Sequence, residues 1–266
     1  MGIYVSSLLY GMGRMEECAQ FIQKQSEYHK DLGVELIAFT HDELYKKRLE
    51  QLLKSLTCPI SFHGPYIGVE ATAKKETPEN EWLFESYDYV FNLAKQHHVK
   101  HVVFHYTQKG FSKDTIADAK EQSLNNIAGL IKLAKKYNVN MLVENIAFIQ
   151  NTIPLYNNEE YKQLFSSLPE AESIIDIGHA NVNNTDLIDL LNHIGPRVKA
   201  YHLHNNDGIH DLHDRVRDGN FDMKKFADIY RKLTPGADLI LEYEPHTKTT
   251  SEQLLDDIDY IRKIFH

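Results

Sequence analysis

The segment SIIDIGHAN, residues 173–181, joins an apolar run to an acidic residue, Asp176, and an imidazole, His179. Apolar runs of this kind are typical of strands that are covered on both faces, as in a parallel sheet. The run HVVFHY, residues 101–106, has the same character and places His105 at its end. These two segments predict a parallel sheet with polar side chains at the carboxyl ends of its strands.

Outward from these segments, short β-rich runs alternate with longer stretches in which apolar residues recur at three- and four-residue steps, the helical period. The predicted strands are 3–9, 34–40, 59–64, 101–106, 140–145, 173–178, 198–203 and 238–243. The predicted helices are 15–32, 41–56, 79–97, 113–137, 158–165, 185–193, 222–233 and 251–264.

This alternation is compatible with a closed (β/α)8 barrel or an open doubly wound sheet. An open sheet usually carries a glycine-rich phosphate loop after a strand, and neither GxGxxG nor GxxxxGK(S/T) occurs in the chain. We therefore predict a single α/β domain over residues 1–266, a (β/α)8 TIM barrel with a metal site at the C-terminal ends of strands 3 to 8.

Composition narrows the class of protein. The net charge of −9 disfavours tight binding to a phosphate backbone, which needs a basic patch, although it does not exclude nucleic acid. No apolar run approaches the length that crosses a bilayer, and the first residues lack the basic region of a signal peptide. The two cysteines, Cys18 and Cys58, form no disulfide framework. We expect a reduced, cytoplasmic protein that does not bind membranes.

Six successive predicted strands end in a histidine or an acidic residue. In a barrel these ends converge on one face, where active sites are built. Residues two apart on a strand share a face, so Glu144 can point inward with Leu142, and Glu242 with Ile240. We favour Glu242 over Glu244, which shares its face, because Glu242 ends the apolar run. The strand-end residues are His63, His105, Glu144, Asp176, His202 and Glu242.

A metal site is indicated further by the segment KAYHLHNNDGIHDLHDRVRDGNFD, residues 199–222. It carries several carboxylates and the four imidazoles of His202, His204, His210 and His213. Neutral imidazole and carboxylate are the ligand types that zinc and manganese prefer. Taken singly, His63 could cap a turn and His105 could be a hydrogen-bonded core histidine. A carboxylate inside a barrel needs a partner, and a bound dication is one.

With these residues in place, the chain resembles the xylose-isomerase-like TIM-barrel superfamily, which contains endonuclease IV and many sugar-phosphate isomerases and epimerases. The sequence departs from the family's frequent LGEG motif, which is Val216-Arg217-Asp218-Gly219 here, and it lacks evident DNA-wedging loops. The matching segments are HGPY (63–66), VFH (103–105), VEN (143–145), IDIGHAN (175–181), HLHNND (202–207), DLHDRVRDGNFD (211–222) and LILE (239–242).

The resemblance implies a ligand set for one to three zinc or manganese ions. In the one-metal branch the ion is held by Glu144, Asp176, His202 and Glu242, and His179 becomes a substrate contact, with His63 and His105 as pocket residues. In the three-metal branch, His63 and His105 hold a further ion with Glu144, and His179, Asp211 and His213 hold the third. Arg215 is a candidate contact for a phosphate or carboxylate group of the substrate.

Three functions follow as hypotheses. The first is a metal-dependent isomerase or epimerase of a small sugar or sugar phosphate, in which Glu144 and Glu242 transfer protons. The alternative is an endonuclease IV-like multi-zinc phosphodiesterase, which the complete three-metal ligand set favours and the acidic charge disfavours. The third is a binding barrel with a structural ion, although structural zinc sites are typically closed and rich in cysteine. The sequence does not indicate an oligomeric state.

Overall fold

Eight parallel strands close into a barrel in the computed structural model, which describes residues 1–266. The strands follow one another around the barrel in chain order, and β1 pairs with β8 to close it. This confirms the predicted (β/α)8 architecture. The strands are β1 (Ile3–Ser6), β2 (Leu32–Ile37), β3 (Ile60–His63), β4 (Val102–Phe104), β5 (Met141–Glu144), β6 (Glu172–Asp176), β7 (Val198–Leu203) and β8 (Asp238–Leu241).

The helices surround the barrel, and most of their boundaries differ from the prediction by a few residues. The first helix ends at Ser26 rather than at residue 32, because Leu32 pairs with Ile3 in the barrel. The second begins at Glu43, where the side chain of Asp42 accepts two backbone N–H groups. The helices are α1 (Met15–Ser26), α2 (Glu43–Leu53), α3 (Pro78–Gln96), α4 (Ile116–Tyr137), α5 (Asn158–Ser167), α6 (Ile177–Val182), α7 (Leu187–Ile194), α8 (Met223–Leu233) and α9 (Ser251–Phe265).

The short helix α6 was not among the predicted elements, and it positions part of the site. It begins directly after β6, where a carboxylate oxygen of Asp176 accepts the backbone N–H of His179 at 2.7 Å. A side-chain acceptor at this position satisfies a backbone donor that the first helical turn leaves free. The cap therefore fixes Asp176 and His179 relative to each other.

A separate apolar layer fills the middle of the barrel. Leu142 and Ile240 belong to it, as the alternation of side chains along β5 and β8 predicts. Gly33 leaves room for the ring of Tyr4, since a Cβ atom at Gly33 would lie 2.5 Å from that ring. The layer separates the two ends of the barrel. Its members are Tyr4, Val103, Leu142, Ile174, Ala200 and Ile240.

Most of the core lies between the outside of the barrel and the helices. The rings of Tyr87 and Phe91 on α3 are fully buried there, and Tyr87 packs edge-to-face on Phe104 of β4 at 5.2 Å. Phe104 therefore faces the helices and not the mouth of the barrel. No helix has the combination of length and apolar character needed to cross a membrane.

The N-terminal end of the barrel carries a buried carboxylate of its own, which is paired with a half-exposed lysine. Asp238 at the start of β8 lies 2.6 Å from Lys100 Nζ and 2.9 Å from His101 Nε2. Its carboxylate also accepts the backbone N–H of Gly2 at 2.6 Å. These contacts tie β8 to β1 and β4 on the side of the apolar layer opposite the predicted site.

Two loops at the carboxyl end of the barrel are joined by backbone hydrogen bonds. Phe111, in the loop after β4, and Ile153, in the loop after β5, exchange two N–H···O bonds of 2.9 Å. Gly110 permits this approach, because a Cβ atom there would lie 1.9 Å from the side chain of Thr152. The pair of loops forms a roof over one side of the barrel mouth.

Candidate metal centre and active site

The nine residues proposed as metal ligands lie at the carboxyl end of the barrel. His63, Glu144 and Asp176 are the last residues of β3, β5 and β6, and the remaining members follow strands or lie on β7. Glu144, Asp176 and His202 have no exposed surface. Glu242 is 3% exposed, whereas Glu244 is at the surface.

Their donor atoms fall into three sets, in each of which all the atoms lie within 4.8 Å of one another. The first consists of His63, His105 and Glu144. The central set consists of Glu144, Asp176, His202 and Glu242. The third contains His179, Asp211 and His213, as the resemblance implies, together with His204.

In the central set, His202 is surrounded by carboxylates. Its Nδ1 atom lies 2.8 Å from Glu144 Oε1, 3.4 Å from Glu242 Oε2 and 3.8 Å from Asp176 Oδ2. Glu144 is shared with the first set, where its Oε2 atom lies 3.0 Å from His105 Nε2 and 3.8 Å from His63 Nε2. The first and central sets therefore meet at one carboxylate.

The third set is organised around Asp211. Its Oδ2 atom lies 3.1 Å from His179 Nε2 and 3.3 Å from His213 Nε2, and its Oδ1 atom lies 3.7 Å from His204 Nε2. His204 also lies 3.0 Å from Asp176 and so links the third set to the central one. The rings of His204 and His213 stack, with centroids 3.8 Å apart.

Three of the imidazoles are oriented by backbone carbonyl groups. The Nδ1 atom of His63 lies 3.0 Å from the carbonyl oxygen of Gly64, that of His179 lies 2.7 Å from Asn145 O, and that of His213 lies 3.1 Å from Glu242 O. The Nε2 atom lies towards Glu144 in His63 and towards Asp211 in His179 and His213. A metal-binding histidine typically donates its other ring N–H in this way, which fixes the ring and its tautomer.

Burial and neighbouring imidazoles set the proton affinities of the acidic residues. Burial disfavours the charged form of Glu144, but His202 and His105 outweigh it and hold the pKa of Glu144 well below its ordinary value. Burial raises the pKa of Glu242, although His202 and His213 act against it. For Asp176, His179 and His204 outweigh burial and lower the pKa to about 2. Two nearby glutamates with opposed shifts are a pattern typical of acid–base sites.

The donor set fits a dication. Glu144 Oε2 is buried and has no hydrogen-bond partner, although imidazole nitrogens approach it on two sides. A buried carboxylate oxygen without a partner is costly, and a metal ion would satisfy it. Imidazole and carboxylate together suit zinc, and a set of three carboxylates with one histidine also suits manganese.

Two further buried polar residues contact the three sets, and neither was assigned a role from the sequence. Glu35 of β2 has no exposed surface, and its carboxylate lies 3.2 Å from His202 Nε2. A signal for it existed, because Glu35 is an acidic residue inside the apolar run LGVELI. His204 belongs to the segment that predicted the metal site, but no role was assigned to it there.

Arg215 lies apart from the three sets. Its guanidinium group donates to Asp257 on α9, with Nε 2.8 Å from Oδ2, and Asp257 has no exposed surface. Arg217 binds the same carboxylate. Asp257 therefore engages both arginines, and the role of Arg215 as a substrate contact stays a prediction.

A cavity of about 290 Å³ opens beside the first and third sets. Its floor includes His105, His179 and Asp211, and the joined loops after β4 and β5 provide its walls. The lining is mixed, with apolar side chains such as Phe148 and polar ones such as Gln108. Lys109 also lines the cavity, and its Nζ atom lies 3.7 Å from Glu70.

A family model described as xylose isomerase-like TIM barrel matches residues 25–264. The chain belongs to this family. The match includes every residue of the three sets, so the xylose isomerase-like assignment covers the whole candidate centre.

Individual relatives of this xylose isomerase-like protein are distant. An uncharacterised protein of Methanocaldococcus jannaschii is 22% identical over 238 residues, which cover 86% of this chain and 78% of the relative. The solved structure of a D-tagatose 3-epimerase-like protein has a TM-score of 0.77 at 16% identity, with 99% of each chain covered. The IolI protein with a bound zinc atom has a TM-score of 0.74 at 15% identity, over 100% of this chain and 99% of that one. The likeness to the two solved structures establishes a shared fold.

Proposed function

We propose that the protein is a metal-dependent isomerase or epimerase of a small sugar or sugar phosphate. The observation that carries the proposal is the pair of buried glutamates, Glu144 and Glu242, in the central set at the barrel mouth. Both lie close to His202 Nδ1, at 2.8 and 3.4 Å. The D-tagatose 3-epimerase-like and zinc-bound IolI structures support the proposal by their shared fold.

The chemistry assigned to the two glutamates is proton transfer. One carboxylate takes a proton from the carbon next to the substrate carbonyl, and the other returns a proton to the same or the neighbouring carbon. A dication held by Glu144, Asp176, His202 and Glu242 would supply positive charge for the oxygens on which negative charge develops.

The substrate would enter through the cavity beside His105 and His179. Its volume of about 290 Å³ is near the lower limit of ordinary ligand pockets, which suits a small molecule. If the central set alone holds a metal, His63, His105 and His179 become substrate contacts. We expect the protein to be cytoplasmic, because Cys18 and Cys58 are both buried free thiols.

Exchange of substrate hydrogen with solvent tests this proposal. Metal-loaded protein would be incubated in D2O with ketohexoses, tagatose among them, and with their phosphate esters, and NMR would follow deuterium at the carbon beside the carbonyl. We expect exchange or epimer formation that falls by about 10²-fold or more in Glu144→Gln and Glu242→Gln. Full activity in either variant would exclude the assigned roles.

A second candidate is a phosphodiesterase of the endonuclease IV type, and one observation favours it. All three predicted ligand sets are brought together, which is more than a one-metal epimerase needs. Its test is nicking of duplex DNA with an abasic site at low salt by zinc-loaded protein. Cleavage would favour this candidate, and failure to cleave would count against it, in agreement with the net charge of −9.

Metal content per chain separates the two candidates further. Elemental analysis of protein purified without chelator should give between one and three ions of zinc or manganese. A value near three zinc ions favours the phosphodiesterase, and a value near one favours the isomerase. Protein that contains no metal and takes up none on reconstitution would refute both candidates.

A further inference from the structure

One buried acidic residue, Glu35, lies next to the centre but belongs to none of the three ligand sets. Its side chain points into the barrel from β2 and has no exposed surface. Its Oε1 and Oε2 atoms lie 3.2 and 3.4 Å from His202 Nε2, and Ser61 Oγ lies 3.4 Å from Oε2. A carboxylate buried this deeply is retained only with a partner, and the closest partner of Glu35 is His202.

The ring of His202 is reversed relative to the other oriented imidazoles of the centre. His63, His179 and His213 direct Nδ1 to a backbone carbonyl and Nε2 to a single carboxylate, that of Glu144 for His63 and that of Asp211 for the other two. His202 directs Nδ1 to Glu144 and Nε2 to Glu35. Glu35 thus occupies the place that a carbonyl oxygen takes beside the other three rings.

The position of His202 in the sheet explains why a side chain is needed. His202 lies within β7, which pairs with β6 and with β8. Strand carbonyl groups lie in the plane of the sheet and are used by its hydrogen bonds, so they do not point into the barrel. An acceptor for the inward ring of His202 therefore has to come from a side chain on another strand.

We propose that Glu35 is a positioning residue for the central set. It accepts the Nε2–H of His202 and holds the ring with Nδ1 towards Glu144, Asp176 and Glu242. A carboxylate in this position also makes the imidazole a stronger donor to a metal ion. The inference rests on the metal dependence proposed above, and its test separates the two.

The test compares metal binding by wild-type protein, Glu35→Gln and Asp238→Asn. Both substitutions remove one buried carboxylate from the barrel and keep its shape, but Asp238 lies at the opposite end. Zinc and manganese affinities would be measured on metal-free, full-length protein by competition with a chelator. We expect the ion held by the central set to bind about 10- to 100-fold more weakly in Glu35→Gln. The metal affinity of Asp238→Asn should equal that of the wild-type protein.

A measurement on the wild-type protein keeps the inference testable if Glu35→Gln does not fold. In zinc-loaded protein with ¹⁵N-labelled histidine, NMR should show His202 with the metal on Nδ1 and the proton on Nε2. His63, His179 and His213 should show Nδ1 protonated. An unprotonated Nε2 on His202, or unchanged affinity in folded Glu35→Gln, would refute the role of Glu35 alone. Wild-type protein that binds no metal would refute the proposed function and this inference together.

Discussion

Replacing Gly178 by alanine should damage both stability and the centre. A Cβ atom at Gly178 would lie 1.9 Å from Cε1 of His204, and 2.4 and 2.5 Å from its ring nitrogens. Ordinary contacts begin near 3.4 Å, so the ring has to retreat by about 1.5 Å. His204 is fully buried and its ring stacks on that of His213, so the movement disturbs this packing.

The size of the effect follows from the contacts that the movement breaks. Overpacking typically costs about 1–3 kcal/mol. Separating His204 Nε2 from Asp176, now 3.0 Å away, adds about 1.5–3 kcal/mol for a hydrogen bond to a charged group. Alanine has a higher helix propensity than glycine, which offsets up to about 1 kcal/mol of this loss in helix α6. We expect Gly178→Ala to lower the free energy of unfolding by about 2–5 kcal/mol.

Urea denaturation of metal-free protein measures this, with two controls. Gly195→Ala should not lower the free energy of unfolding and should raise it by up to about 1 kcal/mol, because Gly195 has helical backbone angles and its nearest new contacts lie at 3.6 Å. In a His204→Ala background, Gly178→Ala should cost less than about 1 kcal/mol, because the clashing ring is gone. Equal costs in the two backgrounds would refute the reasoning.

Three further predictions address catalysis, acid stability and packing. Glu242→Gln should lose turnover about 10²-fold or more while Glu244→Gln, whose side chain is 48% exposed, stays close to wild type; equal losses would contradict the choice between them. Burial opposes ionisation of Asp238, but hydrogen bonds from His101 and Lys100 outweigh it and lower its pKa in the folded protein. The resulting stabilisation is present above the unfolded-state pKa of about 4 and is lost as the pH falls through the folded-state value. Asp238→Asn should therefore cost about 1–3 kcal/mol in urea denaturation at pH 7, and its difference from wild type should shrink in acid. Leu142→Ala, in the fully buried layer inside the barrel, should lower the free energy of unfolding by about 2–5 kcal/mol in the same assay. A smaller loss would show that the neighbouring side chains move into the cavity left by the leucine.

The barrel and much of its mouth could be predicted because both depend on patterns local to each strand. Apolar runs and helical periods mark the elements, and alternation along β5 and β8 places Glu144 and Glu242 on the inner face. The end of α1 was predicted less well. Residues 27–32 fit a helical pattern, but Leu32 pairs with Ile3 as the first residue of β2. Pairing with a distant strand is not visible in a local period.

The rest of the centre depends on contacts between residues that are far apart in the chain. Glu35 contacts His202 across the barrel, 167 positions away in the chain, and no local sequence pattern predicts this contact. Arg215 shows the converse. Its position after Asp211 and His213 suggested a substrate contact, but Asp257 on the last helix binds its guanidinium group. Residue type and order could indicate a metal centre, whereas the supporting contacts required the folded chain.

The hydrogen bonds between Phe111 and Ile153 limit how the loops that line the cavity can be redesigned. Because they join the loops after β4 and β5 into one roof, neither loop can change its length or path without disturbing the other. Gly110 and Thr152 further limit which substitutions the loops can accept, since their close approach tolerates no larger residue at position 110. A graft that alters selectivity therefore has to carry both loops together, as one exchangeable module.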